Sequence, residues 1–313
     1  MSSSVFPRSF NPIRRKVFSN RKKRNRSFLM LKIITYYCRI GKDRKIMASL
    51  RERYGNWALV AGAAEGIGEG FTRTLAGSGI NIILADHNLL AMQELAAGIR
   101  LKYHVETMEI HLDLASPDAA DLCLQAISTH DCRLMVYVAA YSRVQRFTTL
   151  DPADLDGFLD VNTRTPLHLV HGFSKRLINA GKTGGIILVS SLAGLIGPQF
   201  VATYAATKAF SIRLTEALHA ELKSQGIDIS VCCAGTVSTP TYWKSKPSFE
   251  KMKPPVMEPG EVAAYALRKL GHKIICIPGL TNRLQYFFLM NMVPRWIARR
   301  LVNDAMKKMY GSL

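Results

Sequence analysis

The stretch WALVAGAAEGIGEGFTRTLA, Trp57–Ala76, moves from an apolar run through a glycine-rich turn into a helical repeat. WALVA is continuously apolar, as a strand covered on both faces is. Gly62, Gly66 and Gly68 follow with the spacing G-x-x-x-G-x-G. A tight turn needs residues without Cβ, and the helix after it offers free N–H groups to an anion. Such a turn is a weak signal by itself. Placed between a predicted strand and a predicted helix, it has the context that a phosphate cradle requires.

Outward from that turn, strands and helices alternate. The apolar runs NIILAD (81–86), VETMEIHLDL (105–114), RLMVYVAA (133–140), GGIILVSS (184–191), IDISVCCAG (227–235) and KIICIPG (273–279) predict six more strands. Helical spacing fills 67–78, 88–102, 117–129, 152–180 and 202–224, with Pro166 expected to bend the fourth of these. Alternation of this kind predicts an α/β fold: a Rossmann-like, doubly wound parallel sheet of about seven strands in a single domain, residues 47–313.

Asp86 closes the second strand 18 residues after Gly68. A carboxylate there accepts hydrogen bonds from both ribose hydroxyls of an adenosine and repels a 2′-phosphate; the plainer alternative is a solvated strand-end acid. Glu65 and His87 stand where basic residues would favour NADP. The expected cofactor is NAD, with NADP disfavoured.

The uncharged segment 183–207 is long enough to raise the question of a membrane span. Its glycines, Pro198 and Gln199 break it into strand, loop and helix instead. At its end, Tyr204 and Lys208 stand at i, i+4 and share one helix face. A tyrosine with pKa near ~10 is a poor base, and a neighbouring lysine cation is expected to lower it. The phenol then exchanges a proton with an alcohol or ketone as general acid/base. Ser191 ends the fifth strand, where ligands sit in open α/β sheets. Strand alternation is expected to put only one of Ser190 and Ser191 in the site.

Taken together, GAAEGIG (62–68), LDL (112–114), VNTRTP (161–166), SSLAGLIG (190–197), YAATK (204–208) and AGTVST (234–239) resemble, in order and separation, the short-chain dehydrogenase/reductase family over residues 55–280. The resemblance implies a catalytic tetrad of Asn162, Ser191, Tyr204 and Lys208, with Asn162 holding a water in a proton relay to Lys208. It implies cofactor contacts from Gly62, Ala64, Gly66, Ile67, Gly68, Asp86, Asp113, Leu114, Ala139, Tyr204, Lys208, Val237 and Thr239, and no metal. Asp113 would bind the adenine, and Val237 and Thr239 the nicotinamide carboxamide. The sequence departs from the family in three places. Tyr137-Val138-Ala139-Ala140 replaces N-N-A-G, so another group must satisfy the backbone sites that the asparagines serve. Ala234-Gly235 replaces Pro-Gly, and Ala61 replaces threonine.

Residues 239–259 resemble a substrate-covering lid, with Tyr242, Trp243, Phe249 and Met252 as pocket candidates beside Tyr141, Phe147 and Phe200. No charged group is placed to grip a charged substrate, so the expected substrate is a small lipophilic alcohol or ketone, steroid-like or acyl. Segment 282–310 mixes large apolar residues with Lys/Arg. Pocket packing, a contact between copies in a homodimer or homotetramer, and peripheral membrane contact all fit it.

The formal charge of +19 is concentrated in the tail. Residues 1–46 hold 14 of the 42 Lys/Arg and one of the 23 acids, so the rest of the chain carries only +6. Nucleic-acid binding would therefore rest on the tail alone, and none is expected. The tail reads as an extension from an upstream start or plain disorder, with a targeting presequence or a basic arm as alternatives. Six scattered cysteines without C-x-x-C spacing predict reduced core thiols and a cytoplasmic protein. The expected activity is NAD(P)-dependent hydride transfer; the rival is a non-catalytic dinucleotide-binding or scaffold protein on the same fold.

Overall fold

The computed structural model describes residues 50–248 and 254–311. The basic segment 1–46, Cys38, and the lid candidates Phe249 and Met252 lie outside the described residues. In chain order the elements are β1 (Trp57–Ala61), α1 (Gly66–Ala76), β2 (Asn81–Asp86), α2 (Leu89–Tyr103), β3 (Thr107–His111), α3 (Ala119–Ala126) and β4 (Cys132–Tyr137). Then follow α4 (Pro152–Leu159), α5 (Thr165–Asn179), β5 (Gly184–Ser191), α6 (Ala193–Ile196), α7 (Ala202–Ser224) and β6 (Ile227–Ala234). The last are α8 (Pro240–Lys244), α9 (Pro259–Lys269), β7 (Ile275–Cys276), α10 (Leu280–Phe287) and α11 (Arg295–Tyr310).

The seven strands form one parallel sheet in the order β3-β2-β1-β4-β5-β6-β7. The chain winds outward from β1 to β3, returns to place β4 beside β1, and winds the other way. That reversal opens a crevice at the carboxyl ends of β1 and β4, where α/β sheets bind ligands.

Strand alternation sends neighbouring side chains into two separate cores. Ala58 and Val60 meet Phe71, Leu75, Met92 and Val262 on one face. Leu59 and Ala61 meet Cys123, Leu169, Phe173 and Ile212 on the other. Cys232 and Cys233 divide between the two in the same way, and the five described cysteines are all free and buried.

A buried carboxylate ties the start of the described chain to the sheet. Asp228 accepts from the Tyr54 hydroxyl at 2.8 Å, Arg53 Nη2 at 2.5 Å and Lys223 Nζ at 2.8 Å. Burial pushes this carboxyl up, but the Lys223, Tyr54 and Arg53 contacts outweigh it and hold the group below its ordinary value.

The expected long helix 152–180 is three pieces. A π-helical turn, Asp160–Arg164, separates α4 from α5. Pro166 lies in the first turn of α5, where its missing N–H costs nothing, so the interruption is the π turn and not a proline bend.

Candidate active site

The glycine turn is built by close approach. A Cβ on Gly68 would lie 1.7 Å from the Gly62 carbonyl oxygen, so no other residue fits without moving the turn. Gly66 has φ +56°, and a Cβ there would lie 2.9 Å from Thr239 Cγ2 at the root of α8. The N-terminal end of α8 therefore rests on the cradle itself.

Asp86 organises the cradle's far side. Its Oδ2 accepts from Ala64 N at 2.9 Å and its Oδ1 from Asn88 N at 3.0 Å. Asn88 caps α2 by accepting from Ala91 N, and its Nδ2 donates to Glu65 Oε1 at 2.8 Å. Asp113 Oδ1 accepts from Ala115 N at 2.8 Å, closing the turn after β3. The same turn is fastened to the start of α5: Thr165 Oγ1 donates to Leu114 O at 2.8 Å and Arg164 Nη2 to Ala115 O at 2.6 Å.

The departure from N-N-A-G after β4 is compensated locally. Val138 N and Ala139 N both donate to Ala61 O, at 2.8 and 3.0 Å. The buried Tyr137 hydroxyl donates to Val161 O at 2.6 Å and so pins the π turn to β4. Asn162, on that turn, has both amide ends engaged. Its Oδ1 accepts from Tyr141 N at 2.8 Å; its Nδ2 donates to Tyr141 O at 2.9 Å and to Thr207 Oγ1 at 3.0 Å.

Ser191, Tyr204 and Lys208 converge at the end of β5. Ser191 Oγ accepts from Ala193 N at 3.2 Å, and its hydroxyl also hydrogen-bonds the Tyr204 phenol. Ser190, the neighbour, donates its hydroxyl to Lys208 O at 2.8 Å. Both serines contribute atoms to the cavity wall, but only Ser191 reaches the phenol with its hydroxyl. Lys208 is 4 % exposed. Its Nζ donates to Val189 O at 2.8 Å and stands 5.6 Å from the centre of the Tyr204 ring. Burial pushes the ammonium down to about 8, partly opposed by the nearby Cys233 thiol.

The expectation that Lys208 lowers the phenol is overturned. Burial raises the Tyr204 phenol above its ordinary value, and only the Ser191 hydrogen bond works against it. The cause is the depth of the phenol, and the Lys208 ammonium is engaged with the Val189 carbonyl.

These groups open onto a cavity of about 1160 Å³. Gly62, Gly66, Ile67, Asp86, Asp113, Leu114, Ala139, Ser191, Tyr204, Lys208, Val237 and Thr239 line it. Ala64, Gly68 and Asn162 sit behind its wall, because Ala64 N turns to Asp86, Gly68 abuts Gly62 O, and Asn162 faces Tyr141 and Thr207. Of the pocket candidates, Tyr141 and Tyr242 line the cavity, while Trp243, Phe147 and Phe200 do not. Trp243 and Phe147 turn out to solvent. Phe200 takes φ +67° and lends its carbonyl to Gln145 N.

Part of the wall comes from the C-terminal segment. Tyr286, Leu289, Val302, Met306 and Met309 line the cavity. Gln199 N and Nε2 hold α11 through Asn303 Oδ1 and O, at 3.0 and 2.8 Å. The Ser245 and Tyr310 hydroxyls meet at 2.9 Å. None of these wall residues was singled out from sequence; the apolar spacing within 282–310 was their only trace. Among the described residues, no group of three or more His, Cys, Asp or Glu side chains could hold a metal ion.

Comparison with known proteins agrees with this geometry. The short chain dehydrogenase family matches residues 56–249. A 7beta-hydroxysteroid dehydrogenase of Clostridium sardiniense is 32% identical over 235 residues, 75% of this chain and 90% of that protein. The human very-long-chain 3-oxoacyl-CoA reductase is 24% identical over 81% of this chain and 80% of its own. A structure solved in work on 7beta-hydroxysteroid dehydrogenase stereoselectivity superposes with TM-score 0.73 at 28% identity, over 81% of this chain and 98% of the other. A short-chain dehydrogenase from Sphingobium yanoikuyae, solved in complex with NADPH, shares the fold with TM-score 0.68 at 22% identity, over 74% of this chain and 91% of the other. With a doubly wound sheet, a glycine cradle and a serine, tyrosine and lysine gathered in one cavity, the chain belongs to the short-chain dehydrogenase family and is an NAD(P)-dependent oxidoreductase.

Proposed function

We propose that the chain interconverts a lipophilic ketone and its alcohol with NAD as cofactor and Tyr204 as general acid/base. The observation that carries this reading is the opening of Ser191, Tyr204 and Lys208 onto the same cavity as the glycine turn and Asp86. The cradle suits a dinucleotide, because Gly68 leaves room for nothing but hydrogen and the N-terminus of α1 faces the cavity. Gly62, Gly66, Ile67 and Asp86 would hold the adenosine and phosphates, with Asp113 and Leu114 at the adenine and Val237 and Thr239 at the carboxamide. When bound, the nicotinamide supplies or accepts the hydride.

The chain's own residues manage the oxygen and its proton. Ser191 Oγ and the Tyr204 hydroxyl are placed to hydrogen-bond one substrate oxygen. A phenol raised by burial stays protonated at neutral pH, which suits proton donation to the oxygen of a ketone being reduced. Lys208 keeps a positive charge beneath the ring, and Asn162 fixes the loop and helix that bracket the site.

NAD is favoured over NADP because Asp86 and Glu65 flank the ribose position. Lys208 and Lys244 are the lysines of the described cavity wall, and they lie on α7 and α8, not beside Asp86. A steroid or long acyl chain fits the apolar wall contributed by α10 and α11, and the names of the relatives point to the same substrate classes. We also propose that 239–259 acts as the lid, and that the chain pairs as a homodimer or homotetramer through the exposed Leu167 and Ile178 of α5. Unpaired buried thiols favour a cytoplasmic setting.

A panel of ketones, scored by oxidation of NADH and of NADPH, tests the reading with Tyr204→Phe as control. The variant is expected to lose about 10²- to 10⁴-fold in turnover, the usual size of an acid/base contribution. It should bind NADH as the parent does. Unimpaired turnover in Tyr204→Phe would remove the proposed role.

A further inference from the structure

Large apolar side chains are unusually exposed in one short stretch. Leu280, Leu284, Phe287, Phe288, Met292 and Trp296 are each 53–64 % exposed. Large contiguous apolar patches on soluble proteins mark surfaces that something covers. Among the described residues nothing covers this one: Tyr286, Leu289, Val302 and Met306 on the same segment already face the cavity, leaving these residues on its outer side.

The charge around the patch indicates what covers it. Residues 280–303 contain Arg283, Arg295, Arg299 and Arg300, all exposed, and no Asp or Glu; the nearest acid along the chain is the exposed Asp304, one turn after Arg300 on α11. A second copy docked through the same strip would bring four arginines toward four arginines with only Asp304 at its edge to offset them, and an isologous contact of that kind is disfavoured. An anionic lipid surface meets both features at once. Apolar side chains enter the acyl boundary, Trp296 sits at the headgroup level, and guanidinium groups reach the lipid phosphates. Among the described residues no helix is long and apolar enough to cross a membrane, so the contact is one of lying on the surface.

We propose that the α10–α11 segment, residues 280–303, docks on the surface of an anionic bilayer. The proposal does not depend on which ketone the enzyme reduces or which nicotinamide cofactor it uses.

The full chain is sedimented with vesicles of phosphatidylcholine alone and of phosphatidylcholine with phosphatidylserine, in low and in high salt. The basic residues 1–46 would bind anionic vesicles ionically, so the decisive comparison is with Phe287→Glu/Trp296→Glu. Both side chains are exposed, and the variant's melting temperature and NADH oxidation are expected to match the parent's. The parent is expected to bind the mixed vesicles and to retain part of that binding in high salt. The double variant should lose about tenfold or more of its partitioning, since partitioning scales with the apolar area buried. Brominated acyl chains should quench tryptophan emission in the parent, and the quenching should fall in Trp296→Phe. Three results would each overturn the proposal: no vesicle binding by the parent, equal binding by the double variant, or a parent dimer that the double variant converts to monomer.

Discussion

Asn162 and Tyr141 exchange two hydrogen bonds, with Oδ1 accepting from the Tyr141 amide at 2.8 Å and Nδ2 donating to the Tyr141 carbonyl at 2.9 Å. With Thr207 taking the second amide proton, the side chain retains one lone pair for anything else. Its structural work is to lock the loop after β4 to the helix that carries Tyr204. Asn162→Ala leaves Tyr141 N and O without these partners. We expect about 2 kcal/mol of lost stability, the size of a few net hydrogen bonds, together with a fall in turnover. Denaturant unfolding and steady-state rates read the two effects separately. Unchanged stability with lost turnover would instead favour a direct part in the proton relay.

The buried ammonium of Lys208 gives the pH dependence a definite sign. Its charge is lost as pH rises through about 8. Ketone reduction should therefore decline above about pH 8, and Lys208→Met should lose most turnover and that limb of the profile. Stability moves the other way. The folded value lies below the ordinary 10.5, so between about 8 and 10.5 the unfolded chain holds a proton that the folded chain lacks. The cost of burying the charge is complete below about 8 and is relieved as pH rises toward 10.5.

Asp86→Ala removes the acceptor for both Ala64 N and Asn88 N. NADH binding should weaken about tenfold, equivalent to about 1.4 kcal/mol. NADPH should lose less, because repulsion of a 2′-phosphate disappears with the carboxylate. Titration with each cofactor gives the comparison. A parent enzyme that uses NADPH at least as well as NADH would contradict the assignment.

Asp228 supports the sheet far from the chemistry. Asp228→Asn weakens the contacts with Tyr54, Arg53 and Lys223, and should lower stability by about 2 kcal/mol while sparing kcat. Its carboxyl is held below the ordinary 3.8, so its stabilisation is present above that value and is lost as pH falls through the folded one. The parent's stability advantage over the variant should accordingly shrink as pH falls, with the two curves converging at low pH.

The legible parts of this chain were those whose physics is local. β5 and α7 lie where apolar runs and helical spacing put them, at Gly184–Ser191 and Ala202–Ser224. The glycine turn, Asp86 and the Tyr204–Lys208 pair were readable because each depends on residues a few positions apart. The π turn at Asp160–Arg164 was not, since widening one helical turn leaves apolar spacing nearly unchanged. Strand ends blurred for a related reason: residues 274–278 are apolar throughout, yet only Ile275–Cys276 pair with β6. The direction of the Tyr204 shift depends on how far the phenol is buried, and an i, i+4 spacing does not specify that. Pocket packing was one of three readings that segment 282–310 allowed, and which of its residues, Val302, Met306 and Met309 among them, face the cavity depends on a fold-back of the chain end.

That fold-back meets the catalytic stretch at the Gln199–Asn303 latch. The groups proposed to handle protons are carried on residues 191–208, and part of the surrounding wall on residues 280–310. The two are separate blocks of chain that touch at a latch. Drift in the later block can reshape what fits the enzyme while leaving the reaction untouched. A chimera with a relative's tail, joined after Gly279, should take its selectivity from the tail's donor and its pH profile from the body.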